Sequence, residues 1–156
     1  MADDPAPSGA SAASFGRFGE PAAAAAPLIF PLRLDEHVVA LRKLVRDRAL
    51  ELKLSLIDQT KLVTAASELA RNTLKYGGGG EVLLSSLTSG GKQGIRLSFV
   101  DQGPGIPDIA RAMTDGFTSG GGLGLGLGGS KRLVDEFEII SSPGAGTTVT
   151  IGKWQR

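Results

Sequence analysis

The chain has no cysteine, which excludes disulfides and thiolate metal sites, and a single histidine, His37, which excludes an imidazole cluster. It contains no apolar run near the roughly 20 residues that a membrane-spanning helix needs. It also has no basic segment leading into an apolar one at its N-terminus, so a cytoplasmic location is expected. Charge of one sign is missing too: 17 Lys and Arg stand against 16 Asp and Glu. The resulting field is too weak to argue for nucleic acid or an anionic membrane as a partner. His37 is expected to be a partly exposed helix residue.

What is present suits one globular domain. At 156 residues and 41% hydrophobic, the chain can bury one core. Residues 1–27 are mostly Ala, Pro, Ser and Gly and are expected to form a disordered tail, since they bury too little apolar surface to offset the entropy of ordering. Residues 28–156 are expected to fold as a single unit. Leu28, Phe30, Leu32 and Leu34 alternate as a strand does. Asp35 is placed to cap a helix whose apolar stripe includes Val38, Leu41, Val45 and Ala49. Ser55 starts a second helix, with Ile57, Leu62, Val63, Ala66, Leu69 and Ala70 inward and the glycines at 77–80 ending it. Strands are expected at 81–88, 94–101, 137–141 and 147–153, with a short helix after Pro107 and another through Arg132 to Glu136. The expected fold class is α/β: a two-layer sandwich with helices on one face of a mostly antiparallel mixed sheet.

Within that frame several residues carry chemistry. Ile95, Leu97, Phe99 and Asp101 share one strand face, so an apolar row ends in a carboxylate aimed at the helix layer. Thr147, Val149 and Ile151 repeat the design with a hydroxyl. An adenine amine would satisfy such a carboxylate, whereas guanine would set an oxygen against it. The competing reading is that Asp101 only opens the turn Asp101-Gln102-Gly103-Pro104. On the second helix, Glu68 and Asn72 lie about 40° apart, with Lys75 about 20° to the other side. One face thus offers a base, an oxygen ligand suited to magnesium and a cation. A solvated helix face is the bland alternative. The run Gly124-Leu125-Gly126-Leu127-Gly128-Gly129 satisfies a dinucleotide fingerprint in letters only, because no strand precedes it. Glycines opening a helix, with free amides for phosphates, are the better account.

These residues resemble a known superfamily. Glu68, Asn72, Lys75 and Tyr76, then Asp101, Gly103 and Gly105, then Gly122-Leu123-Gly124-Leu125-Gly126-Leu127, then Gly146-Thr147, are similar to the boxes of the GHKL ATPases with their Bergerat fold. The subgroup resembled is the anti-sigma-factor-type serine/threonine kinases, above all the RsbT-type stressosome switch kinases. It is carried by Glu68-Leu69-Ala70-Arg71-Asn72, Asp115-Gly116-Phe117 and the run from Lys131 to Phe137. The resemblance implies ATP and Mg2+ as cofactors, Asn72 as metal ligand and Glu68 as catalytic base. It implies Asp101 and Thr147 at adenine, with Gly103 and Gly105 beside it. Lys75, Gly122, Leu123, Gly124, Leu125 and Gly126 would line the remaining nucleotide. It further implies STAS-domain stressosome proteins as substrates and a PP2C-type phosphatase activated by binding. An anti-sigma-factor kinase of the RsbW or SpoIIAB type and a non-catalytic nucleotide-gated binding module are the alternatives. Two positions depart from the pattern: Gly128 replaces a usual proline, and Lys75-Tyr76 is more like a histidine-kinase box.

Overall fold

The computed structural model describes residues 26–114 and 126–156 in full, together with the backbone of Ser11–Phe15 and Glu20–Pro21. Seven strands form one sheet: β1 (Ser11–Phe15), β2 (Glu20–Pro21), β3 (Leu28–Leu32), β4 (Gly80–Ser89), β5 (Lys92–Asp101), β6 (Glu136–Ser142) and β7 (Gly146–Trp154). Their order is β1-β6-β7-β5-β4-β2, and β3 also pairs with β4. Against this sheet pack α1 (Asp35–Glu51), α2 (Leu56–Lys75), α3 (Ile109–Ala112) and α4 (Gly126–Arg132). The two-layer sandwich is therefore as expected.

The sheet differs from the expectation of a mixed one, because every pairing among the described residues is antiparallel. The crossover explains it. β5 and β6 run in the same direction but are not neighbours, and β7 turns back between them, antiparallel to both. Among the described residues of the expected tail, β1 pairs with β6 and β2 with β4. Both add to sheet edges, where backbone hydrogen bonds do the pairing and composition matters less.

Alternation fixes the buried face. Val82, Phe99, Val149 and Ile139 lie in one register row, and Leu84, Leu97, Ile151 and Phe137 in the next. All eight belong to the core, which α2 seals with Leu62, Ala66, Leu69 and Ala70. At roughly 1.5–3 kcal/mol for each large apolar side chain, these rows are a substantial favourable term in folding. The row on the other side of Phe99, Val149 and Ile139 is polar: Asp101 pairs with Thr147, and Thr147 with Ser141.

Local differences have local causes. Ile57, expected inward, is 69% exposed, while Asp58 and Gln59 take the inward positions at the start of α2. Gln59 donates to Leu54 O at 2.8 Å, and Asp58 pairs with Lys153 at 3.3 Å, so polar partners rather than apolar burial set this turn. Asp35 is not the cap of α1; Leu34 holds that position, and the Nδ1 of half-buried His37 accepts from the N–H groups of Arg33 and Leu34. Ser55 does cap α2, accepting from Asp58 N at 3.1 Å. The last helix ends at Arg132, before the expected Glu136, which already belongs to β6.

Candidate functional site

The polar row opens on a cavity of about 670 Å³ between α2 and the ends of β5 and β7. That volume falls in the range of small-molecule sites, roughly 300–1,000 Å³. Glu68, Asn72 and Lys75 line it from α2, Asp101 and Thr147 from the sheet, and Gly105 and Gly126 from the connecting segments. Residues some 30 to 80 positions apart in sequence are thus brought to one space. Phe99 and Val149 give its floor an apolar surface of the kind a flat ring covers.

Each functional side chain is held by its own element. Glu68 is 6% exposed on the inward face of α2, and Arg71 Nη1 lies 3.9 Å from its Oε2. Asn72, one turn on, is half-buried, and Lys75 in the last turn places its ammonium 5.3 Å from the centre of the Tyr76 ring. Asp101 ends β5. Its Oδ1 accepts from Gly103 N at 2.9 Å and from Thr147 N at 3.3 Å, while Oδ2 has no hydrogen bond from the described residues. The turn-opening role and the ligand role proposed for Asp101 are therefore compatible, because different oxygens serve them.

Two glycines are needed for this geometry. Gly77, just after α2, lies so close to Asp101 that a β-carbon there would overlap that side chain. Gly105 has a φ of +81°, a left-handed backbone that side chains disfavour, and a β-carbon on it would meet Ser142 O. Gly103 does not line the cavity; it packs against Gly77 and the Asp101 carboxylate, so its place is behind Asp101. Gly122, Leu123, Gly124 and Leu125 lie outside the described residues.

Sequence reasoning missed two residues here. Asp35, assigned to a cap, lines the cavity from the first turn of α1. Ser141 is 1% exposed, accepts from Ile106 N at 2.7 Å and lies 2.9 Å from Thr147 Oγ1. Its signal was available, since Phe137, Ile139 and Ser141 alternate as Ile151, Val149 and Thr147 do.

An acceptor oxygen at the end of an apolar floor, facing a buried carboxylate and an amide on a helix, can take a flat base at one end and phosphates at the other. Comparison with known proteins agrees with that arrangement. The chain is 48% identical over 119 residues to the serine/threonine-protein kinase RsbT of Bacillus subtilis (strain 168), covering 76% of this chain and 90% of the relative. It is 31% identical to the anti-sigma F factor of Thermoanaerobacter sp. (strain X514), covering 72% of this chain and 82% of that one. A crystal structure of the RsbU and RsbW domains of a Mycobacterium tuberculosis protein superposes with a TM-score of 0.56 at 21% identity. That alignment covers 85% of this chain and 33% of the other, and it shows the shared fold. Residues 57–155 match the family described as histidine kinase-, DNA gyrase B-, and HSP90-like ATPase, and the chain belongs to that family.

Proposed function

We propose that this ATPase-family chain is a cytoplasmic partner-switching serine/threonine kinase that transfers phosphate from ATP to STAS-domain proteins. Once released from them, it binds and activates a PP2C-type phosphatase. The observation that carries the reading is the meeting of Glu68 and Asn72 with Asp101 and Thr147 on one cavity. Support for a protein substrate comes from the 48% identity to a serine/threonine-protein kinase over most of both chains.

The residues fit the roles. Asp101 Oδ2 accepts from the adenine amine, since Oδ1 is already occupied by backbone N–H groups. Asn72 would offer magnesium a hard oxygen ligand, and the ion, when bound, would neutralise phosphate charge. Glu68 accepts the proton of the substrate hydroxyl as that oxygen attacks the γ-phosphorus and ADP departs. Burial of Glu68 keeps water from competing for this position. Lys75 and Gly126, with Gly122, Leu123, Gly124 and Leu125, complete the nucleotide's surroundings. The amide of Gly126, where α4 opens, suits a phosphate.

The anti-sigma-factor reading has its own support in the 31% identity to an anti-sigma F factor. One experiment separates the two. Partners captured from the native cytosol are incubated with labelled ATP and magnesium, using wild-type protein and Glu68→Gln. The expected result is labelling of a STAS-domain protein on serine or threonine, slowed about 10² to 10⁴-fold in Glu68→Gln at unchanged ATP affinity. Capture of a sigma factor in its place favours the second reading. Equal transfer rates in the two proteins remove Glu68 from the role of base.

A further inference from the structure

One cation on the cavity has no part in the reading above. Arg71 lines the space from α2, and its side chain is 45% exposed where that of Glu68 is 8%. Its Nη1 stands 3.9 Å from Glu68 Oε2, which is longer than a hydrogen bond, so the planar fork of guanidinium donors is not committed to that carboxylate. A pair this loose, with one side chain in solvent, contributes little to stability.

Helix geometry says what Arg71 faces. Asp101 rests against Gly77, just past the end of α2, so the adenine end of the cavity lies at that end of the helix. Asn72 stands about 7 Å back along the axis and Glu68 about 6 Å further, at roughly 1.5 Å per residue. Ring, metal ligand and base thus follow one another along α2. Arg71 is within about 1.5 Å of Asn72 in height but about 100° round from it, with Glu68 between the two in angle and one turn beyond. A γ-phosphate ahead of Glu68 has the metal ligand on one flank and a guanidinium on the other. Lys75 serves the opposite end, two turns from Glu68, with its ammonium over the Tyr76 ring.

Charge gives the reason for a cation there. Glu68 as an ionised base stands against a phosphate of like sign, and their repulsion opposes the approach that transfer requires. A guanidinium 3.9 Å from that carboxylate, with uncommitted donors, offsets the repulsion and matches phosphate oxygens in pairs.

We infer that Arg71 is a catalytic residue that donates to the non-bridging oxygens of the γ-phosphate. The inference rests on the reading of the cavity as the site of an ATP-dependent kinase. As the substrate oxygen bonds to phosphorus, its proton goes to Glu68, the bond from phosphorus to the bridging oxygen breaks, and ADP leaves with that electron pair. Arg71 exchanges no proton; it holds the moving phosphoryl group.

The test is calorimetry with magnesium-ADP and with the magnesium complex of the β,γ-imido analogue of ATP, which adds a γ-phosphate that is not transferred. Wild type, Arg71→Ala, Arg71→Lys, Glu68→Gln and the double variant of Glu68→Gln with Arg71→Ala are compared. The expected result in Arg71→Ala is a Kd for the imido analogue raised about 10- to 100-fold, the scale of a hydrogen bond to a charged group, with the Kd for ADP within about twofold of wild type. Arg71→Lys should recover part of the loss, since it keeps the charge and lacks the fork. The loss should be as large in the Glu68→Gln background, because a contact to phosphate does not pass through the carboxylate. ADP binding on the same preparation shows that each variant is folded. An equal change for the two nucleotides, no change for either, or a loss that vanishes with the Glu68 carboxylate overturns the inference; in the last case Arg71 only orients the base. A wild type that binds neither nucleotide removes the ATP reading itself, whereas a wild type that binds both beside an indifferent Arg71→Ala removes the role of Arg71 alone.

Discussion

At one end of the inner face of β7, Lys153 is 2% exposed and its ammonium has three acceptors: Leu133 O at 3.3 Å, Asp58 Oδ1 at 3.3 Å and Asp135 Oδ1 at 3.5 Å. Arg156 joins the same two carboxylates, and Gln155 donates to Leu52 O at 2.8 Å. At the other end, Thr147 N donates to Asp101 Oδ1 and Thr147 Oγ1 lies 2.9 Å from Ser141 Oγ, while Asp101 and Thr147 both line a cavity and Asp101 Oδ2 has no hydrogen bond from the described residues. Both ends interrupt an apolar face with polar groups. The Lys153 end is saturated within the chain, which is how buried charge is tolerated, while the Thr147 end is left incomplete on the cavity side. An unfinished polar row beside a cavity marks ligand chemistry; a finished one marks architecture.

Breaking the saturated end should have the largest effect on stability. Lys153→Met leaves Arg156 as the one charged partner of Asp58 and Asp135 among the described residues, and a loss of about 3 kcal/mol in urea unfolding is expected, the scale for removing one partner of a buried pair. ATP affinity of the folded fraction should be unchanged. Breaking the open end should invert the pattern. Asp101→Asn should weaken ATP binding by about 30- to 100-fold, the range of a hydrogen bond to a charged group, with little movement in the urea midpoint of the free protein. If the two variants shift the same observable, the distinction between the ends is wrong.

Acid sharpens the contrast further. Burial alone would raise the Asp58 carboxyl, but the hydrogen bond and charge of Lys153, with those of Arg156, bring it below its ordinary value of 3.8. Its contribution to stability is thus complete above that value and is lost as pH falls through the lower folded value. Glu136, on the far face of the sheet near the same end, has the opposite sign. Burial raises its carboxyl above 4.5, only partly offset by the Trp154 indole N–H at 2.8 Å and the charge of Arg96. Stability linked to Glu136 is therefore greatest below 4.5 and declines as pH rises through the folded value. Unfolding of Glu136→Gln followed against pH should show a gap from wild type that widens in that upward direction; a constant gap would rule the linkage out. The smallest effect is expected at Lys53, whose φ of +56° follows α1 beside the Leu52 carbonyl that Gln155 bonds. Lys53→Gly should stabilise by roughly 0.5–1 kcal/mol in the same urea assay, because glycine adopts this helix-ending conformation without strain.

The parts of the site legible in the sequence were those encoded by a period. Phe99 and Asp101 on one strand and Val149 and Thr147 on another could be assigned to one face by alternation, and Glu68 and Asn72 to one helix face by turn angle. What the sequence hid was pairwise. Ile57 was read inward because it is apolar, yet the turn it occupies is oriented by the partners of Asp58 and Gln59, some of them nearly 100 residues away. Likewise nothing local says that β7 lies between β5 and β6, and without that neighbour relation Ser141 is one more strand serine. Edge pairing of Ser11–Phe15 was missed for a related reason: its partner strand offers backbone groups, which composition does not record.

Gly77 works as a calliper. The bare α-carbon after α2 rests against Asp101, so its thickness sets the gap between the helix that bears Glu68 and Asn72 and the strand that bears the carboxylate. A gauge of that kind has no second setting: any side chain there forces the jaws apart. The reach from Glu68 and Asn72 to the Asp101 carboxylate is therefore held by the absence of a single methyl group.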